Sequence, residues 1–273
     1  MHPIAIQLGH ITVRWYGVMA AVGFIIAYCL INQLRKKVNI PQDEASGSVM
    51  LAMVTGILGA RIFYVIQFFD HYRYNLKSIV RIDQGGLVFF GGFILAAISL
   101  GLYCRYKKLD FINMLDMYAP AMAIAHACGR IGCFLNGCCY GVPATGKFTF
   151  PYPVDSEAAM RYGKDATFFP IQLVESLGNI IIFFILLIVF KKYKKGIPMS
   201  VYIILYAILR IANEYLRGDN AKIFGLFTIA QLIGMVLLPI GIYSFIYFIR
   251  RKKEDNTCID NLDAKNKNAS EEK

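Results

Sequence analysis

Hydrophobic residues in this chain neither alternate nor recur singly. They gather into long runs near 15–32, 48–69, 86–104, 111–128, 171–190, 199–216 and 225–249. At about 1.5 Å rise per residue, runs of this length cross an apolar layer roughly 30 Å thick as helices. None shows the period-two alternation of a membrane barrel strand. The pattern therefore predicts an all-α integral membrane protein with seven transmembrane helices in one domain, residues 1–249. Residues 142–169, rich in Pro, Gly, Lys, Asp and Tyr, predict a small extracytoplasmic head or lid loop. Residues 250–273 are strongly charged and predict a disordered cytoplasmic tail.

Composition agrees: 57% hydrophobic residues, 17% charged, and a mean hydropathy of +0.49. The net charge of +11 raises the question of nucleic acid. The bases, however, cluster at helix ends rather than along one soluble face, and no nucleic-acid partner is expected. Arg35-Lys36-Lys37, Arg105-Lys107-Lys108, Lys191-Lys192-Lys194-Lys195 and Arg250-Arg251-Lys252-Lys253 follow the first, third, fifth and seventh runs. The positive-inside rule makes those ends cytoplasmic, with the N-terminus outside and the C-terminus inside. The first run lacks a basic leader and a small-residue cleavage pattern, so it is read as a membrane helix rather than a cleaved signal.

Polar residues inside the apolar runs carry the functional information. Gly129-Arg130-Ile131-Gly132-Cys133-Phe134-Leu135-Asn136-Gly137-Cys138-Cys139-Tyr140-Gly141 crowds an arginine, an asparagine and several glycines and cysteines between hydrophobic segments. It predicts a break in the helix that floors a binding site, because irregular backbone at membrane depth must line a cavity or be buried in protein. Arg61 lies well inside the second run, and an intramembrane charge is by default a functional candidate. Tyr202, Tyr206, Arg210, Glu214 and Arg217, with Asn213 beside them, fall on one side of the sixth helix. Gly85-Gly86 and Gly91-Gly92 flank Leu87-Val88-Phe89-Phe90, a backbone able to approach a ligand closely. Pro170-Ile171-Gln172-Leu173-Val174-Glu175 opens the fifth helix with Gln172 and Glu175 on one face.

Each feature also has a plainer explanation. Tyr16 suits an aromatic belt, Arg61 a snorkelling ion pair, Arg210–Glu214 a structural pair, and the glycines helix packing. Taken together, several guanidinium groups in one intramembrane cavity point to an anion, since arginine grips phosphate oxygens bidentately. A phospholipid is the simplest such ligand able to arrive sideways from the bilayer. A transporter of an anionic solute fits the charges too, but no pair of related halves with broken helices is visible.

Cys128, Cys133, Cys138 and Cys139, with His126 upstream, have the spacing of neither C-x2-C pairs nor any other standard structural zinc pattern. They read as packing residues or as a disulfide on the outer side, and neither metal nor cofactor is expected.

In order and spacing, Arg14-Trp15-Tyr16-Gly17, the Gly85–Gly92 motif, the Gly129–Gly141 signature, Pro170–Glu175 and Leu205-Tyr206-Ala207-Ile208-Leu209-Arg210 through Glu214 to Arg217 resemble the bacterial prolipoprotein diacylglyceryl transferases. The likeness runs to about residue 249. It implies a multi-pass enzyme of the bacterial inner (cytoplasmic) membrane. Such an enzyme moves the diacylglyceryl group of phosphatidylglycerol onto the lipobox cysteine of a prolipoprotein signal peptide, leaving a thioether and glycerol 1-phosphate. By the match, Arg130 and Arg210 would hold the phosphate and leaving group, and Glu214 would orient Arg210. Tyr16, Arg61, Gly85, Gly86, Gly91, Gly92, Asn136, Gly141, Glu175, Tyr206 and Arg217 would bind or shape the substrate site.

The chain departs from the family at three positions. Phe90 stands where the family usually has histidine, Cys133 where it has asparagine, and Cys138 where it has glutamate. The usual proton acceptor is therefore missing, and His126, then Glu175, are the expected replacements. A divergent relative that binds lipid, or a cysteine-based redox or metal module, is the alternative.

Overall fold

A computed structural model describes residues 3–8, 11–73, 76–80, 86–154, 156–193, 195–220 and 226–271. A hairpin of β1 (Ile4–Leu8) and β2 (Ile11–Arg14) leads directly into α1 (Trp15–Leu34). There follow α2 (Gln42–Gln67), the short α3 (Phe69–Tyr72), α4 (Phe89–Tyr106) and α5 (Phe111–Asn136). The head between α5 and the next long helix holds β3 (Phe150–Pro151), α6 (Glu157–Tyr162) and β4 (Thr167–Phe168). The chain closes with α7 (Ile171–Lys192), α8 (Ile197–Glu214) and α9 (Ile229–Glu271).

Among the described residues six helical segments are apolar and long enough to cross a membrane: Trp15–Val38, Gln42–Gln67, Phe89–Tyr106, Ile171–Lys192, Ile197–Glu214 and Ile229–Arg251. The protein is an all-α integral membrane protein. Large apolar side chains such as Ile25, Ile66, Phe93, Phe184 and Val236 point outward, as a hydrocarbon surround requires. The remaining predicted run forms α5, which is less apolar than these six. It packs against α1, α7 and α8 and buries residues from Met114 to Cys133. Asp116, His126 and Arg130 are tolerated on it because protein surrounds the helix.

One expectation is corrected here. Gly129–Asn136 is the last part of α5 and not a break in it; the helix ends only at Gly137, whose φ of 74° is left-handed. Gly132 stays in the helix because α1 lies against it. A Cβ there would sit 3.1 Å from the Met19 Cβ and 3.3 Å from the Tyr16 Cα.

Other helix boundaries follow local chemistry. Asp110 caps α5, its carboxylate accepting from the Ile112 and Asn113 N–H groups at 3.0 and 3.1 Å. Pro198 sits in the first turn of α8. Asp116, almost fully buried, accepts from the Gly196 N–H at 2.5 Å and the Met199 N–H at 3.0 Å. A buried carboxylate is thus satisfied by the free N–H groups that open α8, and the helix dipole favours it there.

The basic clusters collect at one pole of the bundle. Lys37 Nζ donates to the Phe190 carbonyl at 2.6 Å, Lys195 pairs with Asp110, and Phe248 packs on Gly196. Lys107 pairs with Glu44 at 3.0 Å, at the start of α2. The head lies at the opposite pole, over a core of Tyr140, Tyr152, Ala158 and Phe168.

The α2–α4 pair crosses at small residues: a Cβ on Gly59 would lie 2.5 Å from the Gly91 carbonyl oxygen, and one on Gly92 2.6 Å from that of Gly56. Gly91→Val should therefore overpack the crossing at a cost of about 1–3 kcal/mol. Thermal unfolding in detergent should show a lower midpoint for it. Gly129→Ala, which adds its methyl to open space, should be neutral or slightly stabilising.

Candidate active site

Asp116 sets the register that builds the site. It ties α5 to the start of α8, and from that tie Arg130 and Arg210 each lie about 20 Å onward at about 1.5 Å per residue. The two arginines thus reach the same level on neighbouring helices. α7 runs the opposite way, so Glu175, near its start, arrives at this level between them.

Glu175 is the shared partner. Its Oε1 accepts from Arg210 Nη1 at 3.0 Å and lies 3.6 Å from Arg217 Nη1, while its Oε2 lies 2.5 Å from Arg130 Nε. Its side chain is 4% exposed, against 14% for Arg130 and 15% for Arg210. Arg210 is gripped a second time by Glu214, Nη2 to Oε2 at 3.1 Å, and the other oxygen of Glu214 accepts from Asn220 Nδ2 at 2.6 Å.

Arg217 forks onto Asp219 with contacts of 3.0 and 2.6 Å. Burial alone would lower its pKa, but the Asp219 carboxylate outweighs that and raises it further above the usual arginine range. Arg217 therefore remains a fixed positive charge.

Arg130 is held differently. Its Nε–H points at His126 Nε2, 3.2 Å away, so the short approach to Glu175 is an ion pair without a directed hydrogen bond of its own. His126 must be neutral to accept this bond, with its proton on Nδ1; the tautomer is assigned from the hydrogen bond. The basic lone pair of His126 is then occupied by Arg130. Among the described residues the two terminal nitrogens of Arg130 donate no hydrogen bond to the protein, and Arg130 lines a small cleft. Arg210, Glu175, Asn179, Tyr206 and His126 also line it.

Seven residues singled out in the sequence therefore meet in one network: His126, Arg130, Glu175, Tyr206, Arg210, Glu214 and Arg217. Gly141 serves it through the backbone. It bridges to Arg217, and any side chain at that position would run into the Phe169 carbonyl. Asn136 ends α5 beside the network with its Oδ1 buried and unpaired, and Tyr16 lies on α1 against Gly132.

Arg61 sits elsewhere. It is buried under Ser78, Ile79 and Gly86, donating to their carbonyls at 2.7, 2.7 and 3.1 Å, with its guanidinium 5.3 Å from the Tyr72 ring. Gly86, at φ 81°, packs directly on it, and Gly91 and Gly92 form the α2–α4 crossing. Gly85 lies outside the described residues.

Sequence reasoning missed several members of the network. Asn179, Asp219 and Asn220 were not singled out, nor was Gln172 as a tie, although it donates to the Cys138 carbonyl at 2.8 Å and to Tyr152 Oη at 2.6 Å. The signal was present on α7, where Gln172, Glu175, Ser176 and Asn179 recur at helical spacing and all are buried.

The cysteine cluster adjoins the arginines. Cys133, Cys138 and Cys139 are free thiols, whereas Cys128 lies apart on the α5 face that meets Gly23 of α1. Hydrogen bonds from Cys133 and Cys138, helped by the charges of Arg217 and Arg130, draw the Cys139 thiol below the usual thiol range.

Residues 3–247 match the family described as Prolipoprotein diacylglyceryl transferase. A relative from Finegoldia magna, named phosphatidylglycerol–prolipoprotein diacylglyceryl transferase, is 36% identical over 256 residues, covering 93% of this chain and 97% of its own. Proteins of the same name from Clostridium botulinum and Clostridium kluyveri are each 35% identical, again over 93% of this chain and 99% of theirs.

Removing the shared carboxylate should be costly. Glu175→Ala strands Arg130, Arg210 and Arg217 beside one another, and breaking buried pairs in this way typically costs about 3–5 kcal/mol. The thermal midpoint in detergent should fall accordingly. Inorganic phosphate should restore part of the loss in this variant, because its oxygens take the place of the carboxylate; a midpoint unmoved by phosphate would contradict the assignment.

Proposed function

The chain belongs to the prolipoprotein diacylglyceryl transferase family, and from that premise we propose that it transfers the diacylglyceryl group of phosphatidylglycerol to the lipobox cysteine thiol of prolipoprotein signal peptides. The single observation that carries this reading is the free guanidinium fork of Arg130, held at the level of Arg210 over a polar cavity inside an apolar bundle. A phosphodiester is the anion that arginines inside a membrane bundle would meet.

In the reaction the acceptor sulfur attacks the glyceryl carbon and the carbon–oxygen bond to phosphate breaks. A C–S thioether forms, and glycerol 1-phosphate leaves with the electron pair. Charge develops on the departing phosphate, and donors already fixed around it lower the barrier without reorganising. Arg130 and Arg210 take that role. Glu175 and Glu214 orient Arg210, and His126 orients Arg130 through the Nε hydrogen bond. With its lone pair engaged in this way, His126 supports positioning more directly than proton removal. Glu175, at the centre of the network, is the carboxylate that meets all three arginines. Tyr206 lines the same cleft, and in this reading Tyr16, Asn136, Gly141 and Arg217 shape the substrate site around it. Arg61, Gly86, Gly91 and Gly92 act at one remove by holding the α2–α4 pair, and Gly85 belongs to the same motif.

The protein is a multi-pass membrane protein, and its relatives are bacterial. The pole that gathers the basic clusters supports a cytoplasmic location for that end, with the head and the arginine site outward and the N-terminus outside. Residues 1–249, with α5 as a seventh span, then form the membrane domain, 142–169 its external lid, and 250–273 a cytoplasmic tail. No cofactor or nucleic acid enters this reading.

Purified protein given phosphatidylglycerol and a lipobox peptide should add one diacylglyceryl mass to the peptide cysteine. Arg130→Ala and Arg210→Ala should each lower the rate at least about 100-fold, the scale of a lost transition-state donor, while remaining folded. Unchanged rates in both variants would remove this mechanism.

A further inference from the structure

Among the described residues, Cys133, Cys138 and Cys139 form the one group of three potential metal ligands whose donor atoms converge, with all three sulfurs within 4.8 Å of one another. Linear spacing hides this, and the backbone produces it. α5 ends in a Schellman motif: the Cys138 N–H donates to the Cys133 carbonyl at 3.1 Å and the Gly137 N–H to that of Phe134 at 3.2 Å, about a left-handed Gly137. This closure normally lays the residue after the glycine onto the helix residue whose carbonyl it caps, as an apolar contact. Here that contact is thiol on thiol. Cys139 then takes φ 57°, a left-handed conformation uncommon for a non-glycine residue, and its sulfur joins the other two.

We propose that these thiolates bind one zinc ion, leaving its fourth coordination position for the acceptor cysteine. Three protein ligands and one open position are the arrangement of catalytic rather than structural zinc. Tetrahedral Zn–S bonds of about 2.3 Å set sulfur separations near 3.8 Å, so these sulfurs need close by no more than about 1 Å. Thiolates select a soft or borderline cation, and zinc brings no redox chemistry to the site. Arg130 and Arg217, both within charge range of Cys139, offset the net negative charge of a zinc trithiolate. Sequence spacing argued against zinc only because it compares linear patterns, whereas the helix cap brings these ligands together.

The inference rests on the transfer reaction proposed above and deepens it. An acceptor thiol bound to zinc gives up its proton to solvent and remains nucleophilic as a thiolate. Its sulfur then forms the C–S bond as the glyceryl C–O bond breaks, and the phosphate leaves with the electron pair. A thiolate supplied in this way needs no separate side-chain base.

Full-length protein purified in detergent without chelator should contain about one zinc per chain by elemental analysis. Cys133→Ser and Cys139→Ser should lower this at least tenfold, whereas Cys29→Ser should retain it. In cobalt-substituted protein the sulfur-to-cobalt absorption should strengthen when a cysteine peptide is added and stay unchanged with the serine peptide. Zinc-free wild-type protein, or a disulfide among these cysteines by alkylation mass spectrometry, would overturn the site. A cobalt spectrum indifferent to the cysteine peptide would overturn the open position. Lipid transfer by zinc-free protein would sink this inference while leaving the transferase reading intact.

Discussion

A carboxylate surrounded by guanidinium groups inside an apolar bundle is the constraint on which this molecule depends. Arg130, Arg210 and Arg217 come from different elements, and Glu175 lies between them. In hydrocarbon none of these charges is tolerable alone. Together they are held by mutual attraction and by Asp219, Glu214, Asn220 and His126. The arrangement is nearly balanced in charge, yet its donors are not exhausted, because Arg130 keeps a free fork. A network of this kind balances its own charges and still keeps Arg130 donors without a protein acceptor among the described residues.

The rest of the fold holds that balance in place. Asp116 pins α8 to α5 at the far end of the bundle and so sets the arginines level with one another. At the near end, the Gly141–Arg217 bridge and the Gln172 ties fix the head to the helix ends. The α2–α4 pair, joined through glycines and the Arg61 clamp, forms a separate flank. The groups proposed to act in catalysis therefore sit on the packed α5–α7–α8 unit, where small displacements would matter most.

Much of this was legible in the chain. The apolar runs predicted the helices because burial in lipid demands long uninterrupted segments, and six of the described helices meet that demand. The polar stripe on α8 and Arg130 announced the site, since charge in such a segment must face inward. Two things could not be read locally. The glycines at 129 and 132 looked like a helix break, but whether a glycine bends a helix or receives a neighbour depends on what packs there: α1 lies against Gly132, and Gly129 faces open space within an unbroken helix. Glu175 looked secondary because its importance lies in partners distant in sequence. The cysteine convergence was hidden for the same reason, since it arises from left-handed backbone at Gly137 and Cys139.

The central claim is that Arg130 and Arg210 recognise a lipid phosphate. Native mass spectrometry of the detergent-purified protein, offered equal phosphatidylglycerol and uncharged diacylglycerol, tests it without requiring turnover. The wild-type protein should retain phosphatidylglycerol preferentially, and the folded double variant Arg130→Gln, Arg210→Gln should lose that preference. A double variant that still selects phosphatidylglycerol as the wild type does would contradict the account.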